Sequence, residues 1–251
     1  MHNLSLHIKK VGRGQPLVLL HGWGFDGRVW DSVSQFLIQN YTVYQVDLPG
    51  FGRSDLMDFA SFKQLLLDQI PQQVVLLGWS MGGLFATRLA LEAPLRITRL
   101  INVASSPCFL RHKNWPGVSL DVLNTFHQRL SSDPSGTVDL FISMQLHGIS
   151  TLARQSLIET LSDIAPDSLQ SGLSMGLSIL REWDLRAELH RLNLPVFYLF
   201  GQLDAITPRA TMTAMQRDYP QFTHKLLSGA AHVPFLSHPD EFMLTLQEWL
   251  E

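Results

Sequence analysis

The sequence predicts an α/β fold with a mostly parallel sheet, helices on both faces and an inserted all-helical cap. Short apolar runs of strand length alternate with segments whose apolar residues recur at helical spacing, which is typical of a parallel sheet covered on both sides. Over residues 109–182 the strand signals stop and only helical patterns remain. At 251 residues the chain is long enough to bury a large core as one domain with an insertion.

The first two strands are predicted on either side of a glycine-containing connection. Leu4–Ile8 alternates weakly between apolar and polar residues, and Pro16–Leu20 is a buried apolar run. Gly12 and Gly14 separate the two runs. We therefore expect these strands to form a hairpin.

A glycine-rich loop, His21-Gly22-Trp23-Gly24-Phe25-Asp26-Gly27, follows the second strand. Its three glycines match the dinucleotide-binding pattern G-x-G-x-x-G, and Asp47 follows the next predicted strand, Tyr41–Val46, near the expected distance of about 20 residues. A nucleotide-binding unit is therefore an alternative interpretation. The bulky tryptophan between the first two glycines and the features of the next strand argue against it.

The next elements lead to a serine at a sharp corner. A helix is predicted over Ser61–Gln69 and a strand over Val74–Leu77, and Gly78-Trp79-Ser80-Met81-Gly82 then joins that strand directly to the helical pattern of Leu84–Leu91. Such a corner strains the central residue, and the flanking glycines allow neighbouring backbone to approach. The motif alone is equally compatible with a tight turn, but its strand-turn-helix context favours Ser80 as a nucleophile, with the Met81 N–H free to stabilise an oxyanion.

A buried strand at Arg99–Ala104 precedes the predicted cap, residues 109–182, which divides the core into residues 1–108 and 183–251. The helical patterns of the cap are Leu120–Leu130, Val138–Leu146, Leu152–Leu161 and Leu169–Leu180. The core then resumes with alternating elements, and we expect strands at Pro195–Phe200 and Thr223–Leu227 and helices at Arg209–Tyr219 and Glu241–Leu250.

Two further polar residues follow predicted strands directly. Asp204 comes after the strand that ends at Phe200, and His232 comes after the one that ends at Leu227. Because the carboxyl ends of parallel strands meet at one edge of a sheet, we expect both to lie near Ser80. An imidazole can then take the serine proton while the carboxylate orients that imidazole, which predicts nucleophilic acyl transfer.

The remaining candidates are interpreted as structural. Asp47 could be a catalytic acid, but we expect loop amides to satisfy it, and we expect His21 to brace the glycine-rich loop. The other histidines considered, which show no metal-ligand spacing, are expected to lie on the surface or in packing: His112, His127, His147, His190 and His238. The sequence has no H-E-x-x-H motif, cysteine pair or P-loop, so no metal and no nucleotide cofactor is implied.

Composition restricts the binding partners and the cellular compartment that we expect for the protein. A formal net charge of −3 provides no basic surface of the kind that binds nucleic acid. The single Cys108 cannot form an intramolecular disulfide, which suits a reducing compartment. The first five residues do not resemble the start of a signal peptide, and no apolar run is long enough to cross a bilayer. We expect a cytoplasmic monomer.

Several motifs together resemble the α/β-hydrolase superfamily. They are His21-Gly22-Trp23-Gly24, Asp47-Leu48-Pro49-Gly50-Phe51-Gly52-Arg53-Ser54, Gly78-Trp79-Ser80-Met81-Gly82-Gly83 and the Asp204 and His232 loops, in the chain order serine, acid, histidine. More specific stretches, residues 103–109, 115–117 and 230–239, are similar to the BioH-type carboxylesterases of biotin synthesis. The resemblance implies cofactor-independent hydrolysis of the methyl ester of pimeloyl-acyl carrier protein, with methanol released and the carrier as partner. It also implies a second oxyanion donor, the Trp23 N–H.

The cap is expected to roof the serine and to bind the substrate. Phe141, Met144 and Leu146, with Trp23, are predicted to form an apolar slot for a methylene chain, although their spacing fits ordinary core equally. Carrier docking is assigned to Arg154 with three other basic residues of the cap, Arg129, Arg111 and Lys113. Residues 109–182 contain five Lys and Arg but seven Asp and Glu, so docking is expected to depend on local contacts.

Two other functions remain open from the sequence. A general carboxylesterase that acts on small esters would carry the same catalytic motifs. A non-catalytic binding protein of hydrolase fold typically lacks one member of the triad, whereas this chain has all three.

Overall fold

The computed structural model describes residues 4–165 and 170–251. Within these ranges one sheet contains seven strands: β1 (Ile8–Gly12), β2 (Gln15–Leu20), β3 (Tyr41–Val46), β4 (Val74–Trp79), β5 (Ile97–Val103), β6 (Val196–Gly201) and β7 (Thr223–Leu227). Their order across the sheet is β1-β3-β2-β4-β5-β6-β7, and every neighbouring pair is parallel except β1 with β3. The predicted α/β fold with a mostly parallel sheet is confirmed.

The helices of the described ranges cover the sheet and form the insertion. They are α1 (Asp31–Leu37), α2 (Phe59–Gln69), α3 (Met81–Glu92), α4 (Leu120–Ser132), α5 (Pro134–Gln145), α6 (Thr151–Ile164), α7 (Gln170–Glu182), α8 (Arg209–Asp218), α9 (Pro234–Ser237) and α10 (Pro239–Leu250). Short 3-10 helices lie at Gly27–Trp30, Pro94–Arg96 and Arg186–Arg191. In this part of the chain no helix combines the length and the apolarity that a membrane crossing needs.

β1 does not form the predicted hairpin with β2. It pairs antiparallel with β3, which lies between the two. The short connection after β1 packs on the residue that precedes β3: the Gln15 amide donates to the Asn40 carbonyl, and a Cβ at Gly14 would lie 2.0 Å from that carbonyl oxygen. Gly14 has a φ of 113°, which L side chains rarely adopt. The glycine therefore carries the chain across the start of β3 instead of turning it back on β1.

Most other elements lie where the sequence predicts them. β3 and β7 have the predicted bounds, and β2, β4, β5 and β6 differ by one or two residues at their ends. The prediction for the first strand, Leu4–Ile8, is wrong by four residues, because β1 begins where the predicted strand ends. α1 and α9 were not predicted, because seven and four residues are too short to show a helical period. Two residues of the predicted cap lie outside the described residues: Leu169, the first residue of the fourth helical pattern, and Pro166, which the sequence predicts to separate that helix from the third.

The helical insertion α4–α7 lies between β5 and β6, above the carboxyl edge of the sheet. The central strand β4 is buried along its whole length and β2 is buried over its last four residues, so the loops that follow them leave directly from the core. α7 approaches the loops after β3 and β2 very closely: a Cβ at Gly172 would lie 2.0 Å from the Gly50 carbonyl oxygen, and one at Gly176 would lie 2.5 Å from Cδ1 of Trp23. The insertion is thus packed directly onto the region that contains the candidate site. Its exact boundaries remain predictions.

Candidate active site

Ser80 lies at a strained corner between β4 and α3. Its φ of 54° and ψ of −123° fall outside the regions that L residues favour, and such backbone costs on the order of 1–3 kcal/mol. The glycines around it have steric reasons. A Cβ at Gly78 would lie 2.3 Å from the Gly82 carbonyl oxygen, and one at Gly82 would lie 2.4 Å from the Leu20 carbonyl oxygen. The corner therefore requires the sequence pattern that it has.

The structure brings Ser80, His232 and Asp204 into one hydrogen-bonded line. The distance from Ser80 Oγ to His232 Nε2 is 2.8 Å, and the distance from His232 Nδ1 to Asp204 Oδ2 is also 2.8 Å. Because a carboxylate only accepts, Nδ1 carries the imidazole proton and Nε2 accepts from the serine hydroxyl. All three residues are buried. The arrangement can move a proton from the serine to the imidazole.

The Asp204 carboxylate is fixed by three donors besides His232. Its Oδ1 accepts from the amides of Ile206 at 2.8 Å and Thr207 at 2.9 Å, and its Oδ2 accepts from the Thr207 hydroxyl at 2.5 Å. These bonds leave one direction of Oδ2 aimed at the imidazole. The loop after β6 therefore sets the orientation of the acid.

The loop after β7 holds the imidazole through its backbone. The Trp79 indole N–H donates to the His232 carbonyl at 2.8 Å, and the His232 amide donates to the Gln145 carbonyl at 3.1 Å. Trp79 precedes the nucleophile candidate and Gln145 ends α5. The histidine is thus tied both to the corner that presents Ser80 and to the helical insertion.

The two predicted oxyanion donors lie next to Ser80. Met81 is the first residue of α3, so its N–H has no carbonyl one turn earlier in the helix. Trp23 follows β2, and a Cβ at the preceding Gly22 would lie 3.2 Å from Ser80 Cβ. Both amides therefore border the serine, and their role as donors to an oxyanion remains a prediction.

His21 fixes the loop that contains Trp23. Its Nδ1–H donates to the Gly22 carbonyl at 2.8 Å, and its Nε2 accepts from the Leu48 amide at 2.9 Å. Burial lowers the pKa of His21, and this effect is larger than the opposite effect of the nearby carboxylates of Asp47 and Asp26, which raise it. The ring is thus a neutral brace between two loops, as expected.

Asp47 is satisfied by loop amides, as predicted. Its two oxygens accept from the amides of Gly27 and Arg53 at 2.8 and 2.9 Å. In a dinucleotide-binding unit this carboxylate would be free for a ribose. Here its contacts hold two loops together, and nothing in the described residues favours the nucleotide alternative.

A small apolar cavity borders Ser80. Its other walls are all apolar side chains: Phe109, Val118, Val122, Leu123, Phe126, Phe141, Met144, Leu177, Leu180 and Ile206. Phe141 and Met144 were predicted here. Leu146 is fully buried at the end of α5 and is not among the lining residues, and Trp23 packs edge-on against Phe141 at 4.9 Å between ring centroids. Their contact with substrate remains a prediction.

Two supports of the site were missed by the sequence reasoning. The Ser105 hydroxyl, in the loop after β5, donates to the Ser80 carbonyl at 2.8 Å and so braces the strained corner. Gly172 and Gly176, four residues apart on α7, allow the insertion to approach the loops beside Ser80. The sequence does contain signals for both supports: Ser105 is a polar residue after a buried strand, and Gly172 and Gly176 are small residues at helical spacing.

Arg154 is held within the insertion. One of its guanidinium nitrogens donates to the hydroxyl of Ser143 at 2.6 Å and to its carbonyl at 3.3 Å, which links α6 to α5. Arg129 lies 3.5 Å from Asp133 in an exposed pair. Arg154 is half-buried, so only part of it is available to a partner.

The sequence model of the alpha/beta hydrolase family matches residues 17–243. A pimeloyl-[acyl-carrier protein] methyl ester esterase from Legionella pneumophila (strain Corby) is 45% identical over 248 residues, which cover 99% of this chain and 100% of that protein. A protein of the same name from Pectobacterium atrosepticum is 43% identical over 244 residues, which cover 95% of both. Among solved structures, an esterase from Exiguobacterium antarcticum matches with a TM-score of 0.88 at 22% identity, covering 97% of this chain and 94% of that one, and it supports the fold alone.

Proposed function

This chain belongs to the alpha/beta hydrolase family, and from that premise we propose that it is a serine carboxylesterase that hydrolyses the methyl ester of pimeloyl-acyl carrier protein. The products are methanol and pimeloyl-acyl carrier protein, an intermediate of biotin synthesis. Near-full-length relatives at 43–45% identity support this substrate. The observation that carries the chemistry is the buried line of hydrogen bonds from Ser80 through His232 to Asp204.

The reaction proceeds by acyl transfer in two steps. His232 Nε2 takes the Ser80 proton as Oγ attacks the ester carbonyl, and Asp204 stabilises the imidazolium that forms. The negative oxygen of the tetrahedral intermediate accepts from the N–H groups of Trp23 and Met81. His232 then returns the proton to the leaving methoxide, and methanol departs. A water molecule, activated in the same way, releases the acyl group from Ser80.

The apolar lining of the cavity supports a substrate of this form. A methyl ester and a methylene chain lose little hydration free energy when they enter a cavity lined by Phe, Leu, Val, Ile and Met side chains. The carboxylate product has no charged partner among the lining residues, so it loses its hydration while it stays there and is expelled. For the same reason, free half-esters that carry a second carboxylate should be poorer substrates than neutral esters.

Carrier recognition is the finer part of the proposal. The acyl carrier protein docks at the edge of the insertion through Arg154, with contributions from Arg129, Arg111 and Lys113. Because acids outnumber these bases over residues 109–182, the contacts are local, weak and sensitive to salt. The protein acts as a cytoplasmic monomer in this proposal. Its one cysteine is an unpaired buried thiol, consistent with a reducing compartment.

Docking is tested by reversing one charge and comparing two substrates. Arg154→Glu should lower kcat/KM for the carrier-bound methyl ester far more than kcat/KM for p-nitrophenyl acetate, which does not reach the docking edge. Arg181→Glu is the matched control, because Arg181 lies on the same insertion and already pairs with Glu182 at 2.6 Å. Equal losses on both substrates in Arg154→Glu would indicate damage to the cap and contradict docking at this residue.

The chemistry and the pathway are tested separately. A serine-directed fluorophosphonate should label Ser80, located by mass spectrometry, and Ser80→Ala should not be labelled. The gene should then restore biotin-free growth to a strain that lacks its own pimeloyl-ester esterase, and Ser80→Ala should not. Labelling and esterase activity without rescue would favour the alternative, a general carboxylesterase for small esters. Absence of labelling would favour a non-catalytic binding protein.

A further inference from the structure

Three potential metal ligands meet at the base of the helical insertion: Cys108 and His112, four residues apart, and Asp184 from a distant part of the sequence. The thiol of Cys108, a ring nitrogen of His112 and a carboxylate oxygen of Asp184 all lie within 4.8 Å of one another. We propose that these three side chains bind a divalent cation of the Zn²⁺ class at a site separate from the catalytic serine. From the sequence His112 is expected on the surface or in packing, because its spacing from other candidate ligands matches no recognised metal-binding motif.

The backbone that carries these ligands is already ordered. Cys108 lies on the segment that leaves the core and Asp184 on the segment that returns to it, and the two residues pair in an antiparallel bridge. The adjacent Leu185 amide donates to the Pro107 carbonyl at 2.9 Å. His112 pairs with Trp115 through two backbone hydrogen bonds of 2.9 and 3.1 Å. A cation would therefore meet a preformed scaffold and need only side-chain adjustment.

The donor set selects the kind of cation. A thiolate, an imidazole and a carboxylate are ligands of Zn²⁺, with bonds of about 2.0–2.3 Å, and a water molecule would complete a tetrahedron. Ca²⁺ and Mg²⁺ prefer oxygen donors throughout. His112 and Asp184 are exposed, so their side chains can close the remaining distance and the cation can reach the site from solvent.

Binding must replace a proton and tolerate a neighbouring cation. Burial and the nearby Asp184 raise the pKa of the Cys108 thiol to about 11, and its S–H contacts the Leu110 carbonyl at 3.4 Å. The cation takes the place of that proton, which leaves to solvent. Arg186 donates to both oxygens of Asp184, at 2.8 and 2.6 Å. Oδ1 also accepts from the Arg186 amide at 3.2 Å, whereas Oδ2 accepts one bond and keeps a second lone pair. The cation can therefore bind Oδ2 of Asp184 without displacing Arg186.

A cation here would fasten the insertion to the core. Cys108 and Asp184 lie on the two chain segments that connect the insertion to the core, and His112 lies in the first loop of the insertion. Coordination would join all three segments through one atom. We therefore expect the cation to raise the thermal stability of the protein without taking part in ester hydrolysis.

Cobalt(II) is the probe, because a thiolate ligand gives Co²⁺ an ultraviolet charge-transfer band and tetrahedral geometry gives strong visible bands. The full-length protein, metal-free and reduced, should bind one Co²⁺ with both features, and Zn²⁺ should displace it. Cys108→Ser should remove the charge-transfer band. His112→Ala should weaken Co²⁺ binding by about tenfold or more, since it removes one of three protein ligands. His190→Ala, which removes another exposed histidine, is the matched control and should bind as the wild type does.

Thermal unfolding gives an independent measurement. Zn²⁺ should raise the Tm of the wild type and of His190→Ala but not that of His112→Ala, in which the buried cysteine and its packing are intact. The inference is overturned if the wild type shows no thiolate-to-cobalt band, or if His112→Ala retains both the band and the Zn²⁺-dependent rise in Tm. Neither outcome affects the proposed esterase, whose residues lie elsewhere.

Discussion

Replacing Asp204 by Asn tests the assignment of the catalytic acid with almost no change of shape. The amides of Ile206 and Thr207 both donate to Oδ1, so the asparagine oxygen must occupy that position. Its NH₂ group then occupies the position of Oδ2, 2.8 Å from His232 Nδ1. Two donors cannot face each other, so the imidazole must shift its proton to Nε2.

That tautomer cannot act as the base. With a proton on Nε2, His232 has no lone pair for the Ser80 hydroxyl at 2.8 Å. The same exchange in a serine protease lowers kcat by about 10⁴, which corresponds to roughly 5.5 kcal/mol in the activation barrier. We expect a loss of this order in kcat for p-nitrophenyl acetate. The folded structure should change little, because the NH₂ group can still donate to the Thr207 hydroxyl oxygen.

Asp47→Asn is the matched control. Both oxygens of Asp47 accept from amides, so an asparagine there places a donor against a donor in a buried site, at a cost of about 1–3 kcal/mol. For a chain of this size that lowers Tm by roughly 2–12 °C. Turnover measured well below Tm should be nearly normal. Thermal unfolding and steady-state kinetics of both variants decide the matter: if Asp47→Asn abolishes turnover and Asp204→Asn mainly lowers Tm, the two acids have been assigned wrongly.

Three further predictions concern the walls and supports of the site. Gly176→Ala should lower kcat by about tenfold or more, because its Cβ would lie 2.5 Å from Cδ1 of Trp23 and would displace the residue whose N–H is proposed to bind the oxyanion; an unchanged kcat would contradict this contact. Phe141→Trp should shorten the acyl chain preferred in a series of p-nitrophenyl esters, and an unchanged profile would place Phe141 outside the substrate path. Burial lowers the pKa of His21 in the folded protein. As pH falls below about 6.5, the unfolded chain therefore binds a proton at this residue before the folded chain does, and the folded state loses stability. Tm should therefore fall less between pH 7.5 and pH 5.5 in His21→Gln than in the wild type, and equal falls would contradict the account.

Local patterns in the sequence were sufficient to predict the fold class and to predict that the three catalytic candidates lie close together. Buried strands have apolar runs bounded by glycine, proline or polar residues, and Ser80, Asp204 and His232 each follow such a run. Because parallel strands end at one edge, their spatial meeting could be predicted without knowing any side-chain position. The resemblance to BioH-type esterases is confirmed by the relatives.

The sequence could not show which part of the fold a given helix face, strand or side chain contacts. Helical spacing identifies an apolar face but not whether that face meets the core or a cavity, so Phe126 and Leu177 were missed as lining residues. The pairing of β1 depends on how Gly14 packs against a distant backbone carbonyl. Arg154 was assigned to carrier docking from the sequence, and its partial burial on Ser143 results from the packing of α6 on α5, which no local sequence pattern predicts.

The measurement that tests the central claim most directly is hydrolysis of methyl pimeloyl-acyl carrier protein by the purified enzyme, followed by mass spectrometry of the intact carrier. The account predicts conversion of the methyl ester to the acid with the thioester to the carrier intact, at a kcat/KM well above that for free monomethyl pimelate, and no conversion by Ser80→Ala. Preference for the free half-ester, or conversion by Ser80→Ala at the wild-type rate, would contradict it.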